Sequence, residues 1–166
     1  MNAEFNTDLA GWQLPGVPTP LWASFDVSGN AASGSAQLTN AEAAAGARVI
    51  GLRRCLRVTR DRYALSASGF VAAGPSAGRM VLNGTARAST DCSGGSFASA
   101  GVYLTAANSP GVWQTNATAN LDFSALAVGS IEVLLSIDKT PEGGSVTGYI
   151  DAVRLVALPL FAGGFE

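Results

Sequence analysis

The chain has no histidine, two cysteines and little charge: Asp, Glu, Lys and Arg make up 13% of its 166 residues. Without imidazole there is no Ser-His-Asp or Cys-His relay and no zinc site built on His. Catalysis would fall to carboxylates, Lys139, tyrosines or a thiol. Ten basic against twelve acidic residues leave a net charge of -2 and a pI near 5.0. That balance offers no attraction to phosphate backbones or anionic membranes and speaks against a nucleic-acid partner. No run approaches the roughly 20 apolar residues that span a bilayer, and much of the 48% hydrophobic fraction is scattered Ala, so no membrane insertion is expected. Met1 to Trp12 lacks a basic stretch followed by an apolar one, so no secretion signal is expected there.

What is present suits strands. Twenty Gly and seven Pro, abundant Ser, Thr and Asn, and few Glu or Lys make poor helices but many turns. Only the stretch from Asn40 to Arg48 could be helical, and Gly46 and the lack of an apolar stripe reduce it to a loop or a single turn. Period-two alternation is clearest where Ile131, Val133, Leu135 and Ile137 point one way and Glu132, Ser136 and Asp138 the other. Ala117 to Phe123 alternates similarly. A last strand from Ser145 to Leu158 has Tyr149, Asp151, Val153 and Leu155, or the complementary set, pointing inward. Ser35 to Thr39, Arg48 to Thr59, Tyr63 to Ala72 and Arg79 to Ala88 also read as strands, and the Pro-rich stretch Leu14 to Pro20 as a loop after a first edge strand. About eight or nine short strands without helices imply an all-β chain, a β-sandwich of jelly-roll type. Neither repeat nor linker divides it, so a single domain is expected over residues 1–158, with a tail at 159–166.

An even cysteine count in a small all-β chain is read as a Cys55–Cys92 disulfide, the alternative being two buried thiols. Six of the nine arginines lie between Arg48 and Arg62. Alternation places Ile50, Leu52, Leu56 and Val58 on one face and Arg53, Cys55 and Arg57 on the other, with Arg54 out of phase at a bulge. The first reading is a solvated strand face. The sharper one is a site at Arg53 and Arg57 for acidic sugars, whose carboxylates Arg binds through two points. Glu132 and Asp138 stand about 20 Å apart along one strand, too far for the 5–9.5 Å of paired glycosidase carboxylates, so no enzyme is expected. The Asn83-Gly84-Thr85 and Asn116-Ala117-Thr118 triplets are read as accidental matches to the glycosylation pattern.

Several segments in order resemble a known family: NAEFN followed by DLAGW (Asn2 to Trp12), SFDVSGNAASGSAQL (Ser24 to Leu38), RCLRVTRDRYALSASG (Arg54 to Gly69), Trp113, and GYIDAVRL (Gly148 to Leu155). Together they resemble the galactose-binding-like jelly-roll modules related to carbohydrate-binding modules of families four, nine and twenty-two, which accompany many bacterial cellulases and xylanases. The resemblance implies a packing role for Trp12, Tyr63 and Trp113. It implies a structural Ca²⁺ held by Asn6, Asp26 and Asp151, with Glu4 as a nearby carboxylate, although Asn6 stands where the family usually has Glu. The tail LFAGGFE resembles Phe-x-x-Gly-Phe-Glu endings of secreted gammaproteobacterial proteins, or the opening of a following module, and both imply an extracytoplasmic location.

Sugar sites stack aromatic rings on pyranose faces and read hydroxyls with polar side chains at the edge. With three rings assigned to packing, Trp22, Tyr103 and Phe97, all in loop-like surroundings, are the candidate stacking residues. The expected function is a non-catalytic extracellular carbohydrate-binding module that attaches a larger secreted protein to a polysaccharide or other glycan. The alternative is a structural surface or fibre domain that self-assembles through strand or face contacts.

Overall fold

The computed structural model describes residues 5–30, 32–44, 46–74, 77–105, 110–124, 126–140 and 144–159, with Asn116 described in its backbone alone. Glu4 and the tail from residue 160 onward lie outside the described residues. Nine strands are found among them: β1 (Leu21–Ala23), β2 (Ser35–Asn40), β3 (Arg48–Arg57), β4 (Arg62–Val71), β5 (Gly78–Arg87), β6 (Ser96–Tyr103), β7 (Gln114–Asp122), β8 (Ser130–Lys139) and β9 (Val146–Ala157). They form two antiparallel sheets, one ordered β1-β2-β9-β4-β7 and the other β3-β8-β5-β6. The expected β-sandwich is therefore present, and no helix occurs at the described residues 41–44 and 46–47 between β2 and β3. The core between the sheets is built from the inward residues of each strand. Ile131, Val133, Leu135 and Ile137 of β8 are fully buried, as are Leu65 of β4, Leu82 of β5 and Leu121 of β7.

Two bulges change which residues face outward. Ile50 pairs with Ser136 but Leu52 with Leu135, so Gly51 is the extra residue in β3. A side chain there would run into Leu38. The bulge therefore precedes Arg54: it turns Ile50 out to solvent, 41% exposed, and puts Arg54 in phase with buried Leu52, its guanidinium 5.9 Å from the Trp12 ring centroid. In β9, Ser66 pairs with Arg154 and Ser68 with Asp151, so Ala152 and Val153 together oppose Ala67. Ala152 takes a φ of 52°, consistent with a bulge. The strand uses the even-numbered inward set up to Ile150 and the odd-numbered set from Val153, part of each expected alternative.

Two expectations at the sheet edges need correction. Residues 96–103 form strand β6, where a loop was expected. Its inward residues Ala98, Ala100 and Val102 are too small for a clear hydrophobic alternation. The first edge strand follows the Pro-rich stretch as β1, and the segment before it contributes a single bridge, Gln13 to Arg53.

Candidate functional site

The outer face of the four-stranded sheet carries a polar concavity. Strand register assembles it row by row. Ile50, Ser136, Val81 and Tyr103 form one row; Arg53, Leu134, Asn83 and Gly101 the next; Cys55, Glu132, Thr85 and Ser99 a third. Glu132 is buried although it lies on the solvent side. Its Oε2 accepts from Arg87 Nε at 3.0 Å and Arg87 Nη2 at 2.5 Å, while Arg53 Nε stands 3.5 Å from Oε1. Arg53 Nε also donates to Gln13 Oε1 at 2.8 Å, which the Gln13–Arg53 bridge brings alongside.

A loop forms one wall of this concavity. Cys92 is joined to Cys55, with Cα atoms 5.8 Å apart, so the expected disulfide is present. The Cys92 N–H donates to Ser130 Oγ at 3.1 Å, that hydroxyl donates to the Ser89 carbonyl at 2.6 Å, and Arg87 Nη1 donates to the Gly94 carbonyl at 2.6 Å. The loop after β5 is thus laid across β8 and fastened to β3. It carries Asp91, whose carboxyl is pulled down to about 2, chiefly by the Ser93 hydroxyl, then by the Ser93 N–H. The resulting cleft, about 300 Å³, is lined by Gln13, Arg53, Cys55, Arg87, Asp91, Cys92 and Glu132. Two guanidiniums face two carboxylates, so formal charge cancels. A smaller cleft of about 190 Å³ on the same face is lined by Arg48, Val81, Asn83, Gly101, Val102 and Tyr103. There the half-exposed Tyr103 ring lies 4.8 Å from the Arg79 guanidinium. Charged hydrogen-bonding groups beside an exposed ring are suited to hydroxyl recognition and ring stacking.

Solved structures share this architecture. A CBM61 module in complex with beta-1,4-galactotriose superposes with a TM-score of 0.59 at 16% identity, covering 95% of this chain and 96% of that one. The CBM22-1 xylan-binding domain of Paenibacillus barcinonensis Xyn10C gives 0.58 at 16%, covering 95% and 94%, and a CBM4 structure 0.56 at 13%, covering 95% and 99%. The fold is that of carbohydrate-binding modules. No protein-family model matches the chain, and no curated protein matches it in sequence.

Of the sequence-derived candidates, Tyr103, Phe97, Arg53 and Arg57 all lie on the outer side of the four-stranded sheet, with Phe97 and Tyr103 about half exposed. Arg53 and Tyr103 line the two clefts, whereas Arg57 opens onto a different one. Trp22 is remote from them. It sits on β1 of the other sheet, where its indole N–H donates to the Phe5 carbonyl at 2.6 Å and its ring packs over Gly34, clipping the N-terminal segment to the 24–34 loop. Glu132, Arg87, Asn83 and Asp91 had no signature in the sequence, because only strand register brings them together. A further aromatic group lies on the five-stranded sheet, where Phe25 meets Phe70, Trp113 and Tyr149 at ring-centroid distances of 5.0–5.3 Å. Phe25 is 40% exposed and the other three rings are partly buried, so tilted and edge-on packing of this kind leaves a partly exposed aromatic cluster rather than a flat platform.

The proposed calcium ligands converge near that loop. The Val27 N–H donates to Asp151 Oδ2 at 3.2 Å. Asp26 Oδ1 accepts from the Asn30 N–H and Oδ2 from the Ser28 hydroxyl, each at 2.8 Å, and Asn6 Oδ1 accepts from Ser33 Oγ at 3.4 Å. Asp26 and Asp151 are both buried. Burial is the largest influence on Asp26 and raises its pKa, but bonds from Ser28, Asn30, Ser33 and Gly29 together outweigh it and hold the pKa below the ordinary 3.8. Two ionisable carboxyls and an amide oxygen fit calcium in chemical kind. No group of three or more His, Cys, Asp or Glu able to hold a metal occurs among the described residues.

Proposed function

We propose that the chain is a non-catalytic, extracytoplasmic module that binds a neutral saccharide on the outer face of β3-β8-β5-β6, as part of a larger secreted protein. The observation that carries this reading is the charge-balanced cleft, in which Arg53 and Arg87 are held on buried Glu132 beside Asp91, with Tyr103 exposed on the same face. Guanidinium donors and carboxylate acceptors in equal number suit hydroxyl groups, which both donate and accept. An acidic sugar would bring an uncompensated charge to the same place. The likeness to modules solved with galactotriose, or named for xylan binding, supports a saccharide as ligand class. A non-catalytic role is supported by the carboxylates: a glycosidase acid must hold a proton to give, whereas Asp91 is ionised at neutral pH and Glu132 accepts bonds from Arg87. The disulfide supports an oxidising compartment.

Glycan-array screening followed by calorimetry tests the reading. The wild type is expected to bind a neutral oligosaccharide, with Tyr103→Ala and Glu132→Gln each weakening it about tenfold or more. Absence of neutral-glycan binding in a folded wild type defeats the proposal. We also propose a structural Ca²⁺ held by Asp26 and Asp151, with Asn6 and Glu4 completing the charge and oxygen supply. A melting temperature unchanged by chelator would remove it.

Self-assembly has its own support. β6 and β7 end their respective sheets; Ser96–Tyr103 contains neither a charge nor a proline, and the one charge of Gln114–Asp122 is its last residue, so most of both open edges is unprotected. Concentration-dependent association in light scattering, without added sugar, is the expected mark of that second reading.

A further inference from the structure

The arginine cluster divides in a way that leaves two members unused. Arg48 makes a two-point pair with Asp138 at 2.5 and 2.8 Å, and Arg53 is held by Gln13 and Glu132. Arg54 lies over Trp12. Arg62 stands 3.2 Å from Asp122 as an ion pair without hydrogen-bond alignment. Among the described residues, no carboxylate comes within ion-pair distance of Arg57 or Arg60.

Both unpaired guanidinium residues border one open cleft of about 410 Å³ where the ends of β3, β4 and β9 meet. Its floor is apolar, formed by Leu56, Val58, Tyr63 and Leu155. The Tyr63 hydroxyl accepts the backbone N–H groups of Thr59 at 3.3 Å and Arg60 at 2.9 Å, which fixes the turn presenting Arg60. The acidic residue of this turn, Asp61, borders the adjoining cleft with Leu126 and Val128, and Thr59 and Arg60 form the rim shared by the two. The first cleft thus combines two cations and an apolar base, with no carboxylate among its described lining residues, within the size range of small-ligand sites.

We propose that this cleft binds the carboxylate of a hexuronate unit, with Arg57 and Arg60 on the carboxylate and the C–H face of the sugar ring against Leu56, Val58 and Leu155. A guanidinium offers paired donors that match a carboxylate, and the apolar floor limits water competition on one side. The site is distinct from the neutral groove: Arg57 and Arg60 do not line it, and Glu132 and Asp91 do not line this one. The choice of a saccharide rests on the reading above; the anionic character of the ligand does not.

The test is calorimetry of the intact chain with trigalacturonate, neutral galactotriose and sodium sulfate, using wild type, Arg57→Gln, Arg60→Gln, the double variant and Glu132→Gln. Trigalacturonate is expected to bind the wild type, to weaken about tenfold with each arginine lost, and to weaken further with added salt. Galactotriose affinity should be the same in the wild type and the double variant. The proposal is overturned if trigalacturonate does not bind, if it binds the double variant as well as the wild type, or if Glu132→Gln removes it. Sulfate binding as tightly as trigalacturonate overturns it too, by showing a general anion patch. Failure of galactotriose to bind counts against the neutral groove alone. Circular dichroism melting confirms that each variant is folded.

Discussion

Replacing Glu132 by Gln separates what the buried ion cluster contributes to stability from what it contributes to binding. The side chain of Glu132 is 7% exposed, that of Arg87 21% and that of Arg53 49%. Hydrogen bonds to a charged group contribute about 1.5–3 kcal/mol. The 3.5 Å leg to the more exposed Arg53 contributes about 0–1 kcal/mol. Gln keeps one carbonyl oxygen for Arg87, and Arg87 keeps the Gly94 carbonyl, so the expected net loss is about 2 kcal/mol. For a domain of this size that lowers the melting temperature by about 4–8 °C. Differential scanning calorimetry reads the shift, and a double-mutant cycle with Arg87→Gln should return a coupling of about 1.5–2 kcal/mol. A coupling near zero would refute the reasoning. A third variant sharpens it: Arg53→Met/Glu132→Leu/Arg87→Met replaces the whole cluster with apolar groups of similar size and should stay within about 1 kcal/mol of wild type. Its saccharide binding should nevertheless be lost. Retained binding would mean that these charges serve the fold rather than the ligand.

Reducing the Cys55–Cys92 bridge, which spans 37 residues, should cost up to about 4 kcal/mol on the loop-entropy account; identical melting curves with and without a dithiol reductant would contradict it. The depressed pKa of Asp26 makes its stabilising effect complete above the ordinary carboxyl value of 3.8 and progressively lost as pH falls through the lower folded value. Asp26→Asn should therefore be less stable than wild type at neutral pH and flatter in stability below about pH 4, as urea denaturation at several pH values would show. Gly51→Ala places a methyl against buried Leu38 and should destabilise by about 1–3 kcal/mol in the same assay; no measurable change would show that the β3 bulge can shift.

The strands were legible where one face is buried in large residues. Ile131, Val133, Leu135 and Ile137 announce β8 because each is wholly in the core, and Tyr63 and Leu65 do the same for β4. β6 was not legible because Ala98, Ala100 and Val102 bury little area each, so their alternation scarcely exceeds that of a loop. The bulges at Gly51 and Ala152 limited the rest in a more systematic way: one inserted residue reverses the facing of everything beyond it. That reversal is why Ile50 was placed on the same face as Leu52 and why the inward set of β9 stayed undecided. Candidate-site residues suffered doubly, since a groove across strands depends on both facing and register. Arg53 and Tyr103 could be picked out singly from charge and aromaticity. Glu132 could not, because its partner Arg87 is 45 residues away and meets it only after β5 and β8 have paired. The same dependence explains the arginine cluster. In sequence it is one basic run, but pairing gives Arg48 to Asp138, Arg53 to Glu132 and Arg62 to Asp122, Arg54 lies over Trp12, and the residual charge at Arg57 and Arg60 emerges only by subtraction. Charge density along a strand-forming segment is therefore a poor guide to where a ligand is held; the useful quantity is the charge left after cross-strand partners have been assigned.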